Sequence, residues 1–169
     1  VFEDARGYFF ETYQEERYKE SGINANFIQD NESKSVRGVV RGLHYQLAPW
    51  SQAKLVRVVQ GRVFDVAVDL RKGSPTFGQW FGFELSEQNK KQMFVPRGFA
   101  HGFSVLSETA VFSYKCDNIY NREAERSINP NDSALNINWN LESADPIISE
   151  KDVAAPMLAN AEMNFIFEK

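Results

Sequence analysis

Short segments in which apolar and polar residues alternate dominate the chain, and turn residues separate them. Residues 54–60 and 63–70 alternate on either side of a Gly61-Arg62 turn, which predicts two tightly joined strands. Further elements are strands over 80–85, 92–95, 103–106 and 110–116, and short helices over 13–21 and 151–160. Ser149 is suited to cap the second helix, which Pro156 limits. So many closely spaced strands predict an all-β fold, a double-sheet jelly-roll barrel with short peripheral helices.

The segment 63–70 sorts its side chains onto two different faces. One face is apolar and comprises Phe64, Val66, Val68 and Leu70. The other face comprises Val63, Asp65, Ala67 and Asp69. Two carboxylates among small apolar residues indicate either a polar cavity or an outer surface. Asp65 is also a candidate partner for Lys54 or for His44.

Composition narrows the class of protein. A length of 169 residues predicts one domain, 1–169. A net charge of -4 argues against a broad basic nucleic-acid surface, but leaves room for a small anionic ligand held by a few arginines. No apolar run approaches the roughly 20 residues of a membrane span. The lone Cys116 excludes an internal disulfide and favours a reducing compartment, the cytoplasm. The chain opens at Val1 directly on a motif-like segment, so we expect a native N-terminal strand to be missing, and a cleaved leader stays open.

Only two histidines are present, His44 and His101. His101 lies in the run PRGFAHGF, whose Pro-x-Gly-x-x-His spacing resembles the second signature of the cupin barrels. His44 is followed by Tyr45 and Gln46, so the His-x-His pair of metal-binding cupins is missing. We therefore predict no metal. Either histidine, taken alone, is more often structural than catalytic.

Eight runs, read in order, resemble the dTDP-4-dehydrorhamnose 3,5-epimerases and cover most of the chain. Two of them are VRGLHYQ at 40–46 and VPRGFAHGF at 95–103. The others lie at 2–11, 27–35, 52–57, 64–71, 74–80 and 113–115. The resemblance implies a cofactor-independent isomerase that inverts C3 and C5 of dTDP-4-keto-6-deoxy-D-glucose on the route to dTDP-L-rhamnose and cell-surface polysaccharide.

The resemblance also implies residue roles. His44 matches the catalytic base, Asp152 its aspartate partner, Lys54 the lysine beside the ketone, and Tyr114 the acid on the other side of the sugar. Tyr120 matches the residue that stacks on thymine. The remaining substrate-contact positions are Arg6, Glu11, Gln29, Asn31, Arg41, His101, Glu125 and Lys151. The resemblance further implies a homodimer in which the N-terminal segment contributes to the partner's site.

The residue types suit this chemistry. Removing a proton from carbon next to a ketone requires a placed base and a donor for the enolate oxygen, which His44 and Lys54 can supply. Inversion requires a proton returned to the opposite face, for which Tyr114 is suited. Three alternatives stay open at this point: a single-carbon epimerase or ketoisomerase on a related sugar nucleotide, a metal-dependent cupin, and a non-catalytic sugar-binding cupin.

Overall fold

The computed structural model describes residues 1–141 and 145–168, and most of its regular structure is antiparallel β-sheet. The strands, in chain order, are β1 Phe2–Asp4, β2 Gly7–Phe9, β3 Gln29–Val36, β4 Val39–Gln46, β5 Lys54–Gln60, β6 Arg62–Asp69, β7 Trp80–Ser86, β8 Gln92–Val95, β9 Phe99–Val105, β10 Thr109–Cys116, β11 Glu125–Ser127 and β12 Ile147–Ile148. The helices are α1 Glu15–Glu20 and α2 Glu150–Val153, with a 3-10 turn at Leu158–Asn160.

Two sheets face each other and form the barrel. One has four strands in the order β3-β10-β5-β8. The other has six, in the order β11-β4-β9-β6-β7, with β12 beside β4. The hairpin β1-β2 forms a separate two-stranded sheet. The predicted all-β jelly roll with short helices is therefore confirmed.

The six-stranded sheet separates two apolar cores. Alternate residues of β6 follow the predicted division: Val63 and Ala67 pack between the sheets with Val56 and Phe112. The opposite residues pack in a second core outside the sheet, under the segment that follows β11. That outer core contains Val40, Leu43, Phe64, Val66, Val68, Leu70, Ile128, Leu135, Trp139 and Phe165. The C-terminal segment is thus packed onto the back of the sheet.

Both helices are shorter than predicted. Ser149 caps α2 as expected, since its hydroxyl accepts a hydrogen bond from the Asp152 amide at 3.1 Å. The helix nevertheless ends at Val153, because a residue before proline avoids the helical region and Pro156 has no amide to donate. The strand predicted over 103–106 extends over Phe99–Val105 instead.

Candidate active site

Polar side chains face part of the space between the two sheets, here called the cavity, and strand register shows which ones. Residues paired across neighbouring strands point to the same face of a sheet. In the four-stranded sheet Tyr114 pairs with Val56 and with Asn31. In the six-stranded sheet His101 pairs with His44 and with Ala67. Because Val56 and Ala67 belong to the core between the sheets, the polar residues paired with them also face inward.

His44 and Asp152 are in direct contact. Nε2 of His44 lies 2.6 Å from Oδ1 of Asp152, although the residues are 108 positions apart in sequence. The Asp152 side chain is 6% exposed, whereas that of His44 is 35% exposed. The structure therefore presents a buried carboxylate behind a ring whose other side is open to solvent.

The charge state of Asp152 fixes the position of the His44 proton. Burial alone would raise the pKa of Asp152, but hydrogen bonds from His44, the Ser149 hydroxyl and the Gly42 amide outweigh it and hold that pKa below its usual range. An ionised carboxylate can only accept hydrogen bonds, so Nε2 carries the proton in neutral His44. The lone pair of Nδ1 is then free to take a proton from a ligand.

Two glycines shape the backbone beside His44. The pairing of β4 with β9 is irregular between Arg41 and His44. Gly42 has φ of 121°, and a Cβ there would lie 2.6 Å from Gly102 Cα and 2.8 Å from the His101 carbonyl oxygen. Only glycine allows both this conformation and this close approach. The local sequence Arg-Gly-Leu-His thus turns His44 toward the cavity while Leu43 enters the outer core.

Lys54 and Tyr114 lie together on the four-stranded sheet. The Lys54 Nζ is 5.8 Å from the centre of the Tyr114 ring. Burial lowers the pKa of Lys54 and raises the pKa of Tyr114. Tyr114 therefore keeps its proton at neutral pH, as a proton donor must. The Phe112 ring separates Tyr114 from His101, with centroid distances of 6.1 and 6.0 Å.

Asp65 pairs with His101, so the expectation that it pairs with Lys54 or His44 is wrong. Its Oδ1 lies 2.9 Å from Nε2 of His101, and the two side chains are 0% and 8% exposed. The register of β6 and β9 explains this partner, because Asp65 lies opposite Phe103 and next to the His101 pair on the same inner face. Burial raises the pKa of Asp65 against the opposing effects of His101 and Lys54. Among the described residues, its Oδ2 is a buried side-chain oxygen with no hydrogen-bond partner.

Asp69, the other carboxylate of this strand, is buried as well, so the outer-surface interpretation is wrong for both. Arg71 forms two side-chain hydrogen bonds with it, and the hydroxyls of Ser74 and Thr76 donate to its Oδ2 at 2.6 and 2.7 Å. Burial pushes the pKa of Asp69 upward, but these donors outweigh it and hold the pKa well below its usual range. Asp69 therefore organises the turn after β6 rather than the cavity.

A cluster of exposed and half-buried groups borders the His44 side of the cavity. Oε2 of Glu125 accepts hydrogen bonds from Lys151 at 2.6 Å and from the Tyr120 hydroxyl at 3.2 Å. Burial pushes the pKa of Glu125 upward, but Lys151 and Tyr120 outweigh it and lower that pKa. Tyr120 is 52% exposed, so its ring is accessible to a flat ligand group.

The polar residues of β3 and β4 complete the lining. The Gln29 amide donates to Asn31 at 3.1 Å, and Gln29 Oε1 accepts from the Tyr120 amide. Asn31 in turn lies 3.7 Å from the Cys116 sulfur. Arg41 donates from Nε to Ser35 at 3.0 Å, which leaves the end of its guanidinium for other partners. Sequence periodicity missed β3 because its inward residues are polar.

The structure does not bring Arg6 and Glu11 together with these residues within the described chain. Arg6 lies at the turn of the hairpin β1-β2 and bonds to Asp4, while Glu11 bonds to Arg17. The hairpin exposes large aromatic side chains: Phe2 is 76% and Phe9 is 72% exposed.

In the described part of the chain, no group of three or more His, Cys, Asp or Glu is arranged to hold a metal ion. None of the helices found there is long and apolar enough to cross a bilayer.

The sequence of the chain matches a known protein family. The sequence model of the dTDP-4-dehydrorhamnose 3,5-epimerases matches residues 1–160. The chain belongs to this family. It is 55% identical to the dTDP-4-dehydrorhamnose 3,5-epimerase of Pseudomonas aeruginosa over 96% of its own length and 89% of that protein.

Solved structures agree in fold. The chain superposes with a TM-score of 0.90 on the Legionella pneumophila epimerase in complex with dTDP-4-keto-L-rhamnose, at 52% identity, covering 94% of this chain and 84% of that one. A 3'-monoepimerase from Streptomyces bikiniensis in complex with dTDP-quinovose gives a TM-score of 0.87 at 34% identity, covering 94% and 80%. The same barrel therefore occurs in an epimerase described as acting at one carbon.

Proposed function

We propose that this protein inverts C3 and C5 of dTDP-4-keto-6-deoxy-D-glucose to give dTDP-4-keto-L-rhamnose. The observation that carries the proposal is the His44–Asp152 pair, 2.6 Å apart, with His44 on the inner face of one sheet and Lys54 and Tyr114 on the inner face of the other. Membership of the epimerase family supports the choice of substrate.

His44 acts as the base. Its Nδ1 takes the proton from the carbon next to the ketone, and the C–H electron pair moves toward the ketone oxygen to give an enolate. Asp152 stabilises the imidazolium that forms, because its ionised carboxylate accepts the Nε2 proton. General-base catalysis of this kind supplies roughly 10²- to 10⁴-fold.

Lys54 stabilises the enolate oxygen. Burial lowers its pKa in the free protein, so an arriving negative charge favours its ammonium form. A preorganised donor at such a position is worth roughly 10²- to 10³-fold. Tyr114 then returns a proton to the opposite face of the same carbon, and the enolate electron pair re-forms the C–H bond. Breaking the Tyr114 O–H bond leaves a phenolate, while His44 holds the proton that it removed. Before the next cycle the 35% exposed His44 ring releases that proton to solvent, and Tyr114 takes one up from solvent. Two such cycles, at C3 and at C5, give the product.

The remaining contact residues hold the nucleotide. The exposed Tyr120 ring stacks on the base, and Arg41 binds phosphate oxygens through the free end of its guanidinium. The other proposed contacts are Gln29, Asn31, His101, Glu125 and Lys151. The cytoplasmic location predicted from the lone cysteine stays a prediction.

Arg6 and Glu11 act in a second copy of the chain. The exposed Phe2 and Phe9 of the hairpin favour this homodimer, since such a surface needs a partner. Mixing Arg6→Ala and His44→Ala subunits tests it. If sites are shared, a mixed dimer has one site with both residues intact and regains activity. If each site uses only its own chain, every site keeps one defect and activity stays low.

The reaction is tested by NMR of dTDP-4-keto-6-deoxyglucose with the protein in D₂O. Exchange of deuterium at both C3 and C5, with formation of the L-sugar, is expected. Exchange at one carbon would assign a single-site epimerase, and a shifted carbonyl would assign a ketoisomerase. Binding without exchange would point to a sugar-binding protein, and activity lost on chelation would point to a metal-dependent cupin.

A further inference from the structure

Asp152, the partner of the proposed base His44, lies on a helix that is too short to be stable by itself. Helix α2 has four residues, and helices far longer than that are marginal alone in water. The position of Asp152 must therefore be set by contacts from outside the helix. The Asp152 carboxylate accepts hydrogen bonds from Ser149 and from the Gly42 amide. Neither contact holds Val153, the residue after Asp152 at which α2 ends.

Asn129 supplies that contact. Its Nδ2 donates to the carbonyl oxygen of Val153, the residue after Asp152, at 2.7 Å. Its backbone amide donates to the Pro156 carbonyl oxygen at 3.0 Å. The residue is only 6% exposed, and its Oδ1 accepts from the Asn131 amide at 2.9 Å, so the side-chain amide is held at both ends.

The same segment also fixes the strand that carries His44. Ser127 lies opposite His44, and Ile128 exchanges both backbone hydrogen bonds with Leu43, at 2.9 and 3.1 Å. Asn129 follows directly. Residues 127–129 thus form hydrogen bonds with β4 on one side and with the end of α2 on the other.

The buried carboxylate of Asp132 adds a second anchor for the chain after α2. Oδ2 of Asp132 accepts from the Leu158 amide at 2.6 Å, and its Oδ1 accepts from the Ala134 amide at 2.8 Å. Asp132 therefore holds the chain five residues beyond Val153, and the segment between the two anchors cannot shift freely.

We infer that Asn129 is a positioning residue, which sets the His44–Asp152 distance by tying the end of α2 to the segment paired with His44. The contact itself is independent of the reaction, while its consequence for catalysis rests on the proposed function. Misplacing a catalytic group by about 1 Å can cost roughly 10²-fold. Because other contacts to Asp152 remain, we expect Asn129→Ala to lower kcat by about 10- to 50-fold with KM within about twofold of wild type.

The first test needs no turnover. The chain has two histidines, so a protein labelled with ¹⁵N-histidine gives separable ring signals for His44 and His101. Asn129→Ala should shift the His44 signals and leave those of His101 in place. Asn129→Asp, which keeps the shape but removes the donor, should do the same and covers the case in which the alanine variant fails to fold. Unchanged His44 signals in a folded variant would overturn the inference even if the proposed reaction were wrong.

The matched control is Asn164→Ala. Asn164 lies in the same C-terminal segment and holds Ala48 through two hydrogen bonds, at 3.0 and 2.9 Å, and neither bond reaches α2. This variant should leave both histidine spectra and kcat unchanged.

A double-mutant cycle separates positioning from general stability. If Asn129 acts through Asp152, Asn129→Ala should cause no further loss of kcat in an Asp152→Asn background. An equal loss in both backgrounds would show that Asn129 acts elsewhere, and would also overturn the inference.

Discussion

Replacing Asp152 by asparagine tests the electronic basis of the proposed base. The substitution keeps the shape of the side chain but removes its charge. Asp152 is 6% exposed and accepts hydrogen bonds from Ser149 and Gly42, which favour an asparagine that turns its oxygen to these donors and its NH2 group to His44. The amide can donate to Nε2, and the ring proton then moves to Nδ1, the nitrogen that must be free to accept a proton from the substrate.

The magnitude follows from the geometry. A hydrogen bond to a charged group is worth about 1.5–3 kcal/mol, which corresponds to roughly a 10- to 150-fold change in rate. The loss reaches about 10⁴-fold in serine proteases, where the aspartate and the histidine are both shielded. The His44 ring is 35% exposed, so water can stabilise part of the imidazolium charge. We therefore expect Asp152→Asn to lower kcat about 100-fold.

The assay is deuterium exchange at C3 and C5, followed by NMR under saturating substrate. Both carbons should slow together, because one base serves both. KM should change little, since the carboxylate faces the histidine and not the ligand. Glu162→Gln is the matched control: it removes one carboxylate charge from the same C-terminal segment, where Glu162 bonds to Arg126 at 2.7 Å on the surface. A folded Asp152→Asn variant with kcat within threefold of wild type would refute the reasoning.

Four further predictions concern the rest of the cavity and its frame. Lys54→Met should lower kcat about 10²- to 10³-fold. In the wild type, kcat/KM should fall on the alkaline side below the ordinary lysine pKa of about 10.4, since burial lowers the pKa of Lys54 in the free protein; a kcat/KM profile flat to that pH would contradict it. In D₂O, Tyr114→Phe should incorporate deuterium into the substrate next to the ketone faster than it forms inverted product. An unchanged yield of inverted product would remove Tyr114 from the mechanism. Asp69→Asn should reduce the free energy of unfolding by about 3 kcal/mol at neutral pH. Because folding lowers the pKa of Asp69, its stabilisation is complete above about pH 5 and is lost progressively as the pH falls below the unfolded pKa of about 3.9 toward the lowered value. Denaturant titrations of the two proteins should therefore converge in acid. Gly42→Ala should impair folding or activity, because the new Cβ would lie 2.6 Å from Gly102; a fully active, equally stable variant would show that the strands can separate freely.

The sequence predicts the barrel because its inward and outward side chains differ in polarity along most strands. On β6 the two faces separate as expected, and each enters a different core. Strand β3 escapes the same reasoning, because its inward residues Gln29 and Asn31 are polar and face the cavity. Periodicity recognises a strand by the apolar surface it buries, and a strand that lines a binding site buries little.

The partners of the carboxylates were predicted only where a family resemblance supplied them. Asp152 was expected beside His44 on that basis, and the structure places it there. Asp65 was considered from local pattern alone and was assigned the wrong partner. Its contact with His101 depends on the register between β6 and β9, and register is a property of the assembled sheet that a single strand does not encode.

The location of α2 on the segment that packs behind the six-stranded sheet has a consequence for biosynthesis. His44 precedes Asp152 by 108 residues, which at about 5–20 residues per second corresponds to roughly 5 to 20 seconds of translation. For most of that interval, until the segment that begins near Ile128 has been made, Phe64, Val66 and their neighbours lack the residues that cover them. The same late segment then conceals the apolar face and delivers the carboxylate. A nascent chain that lacks this segment therefore exposes apolar surface and has no carboxylate partner for His44. Docking of the segment ends both conditions.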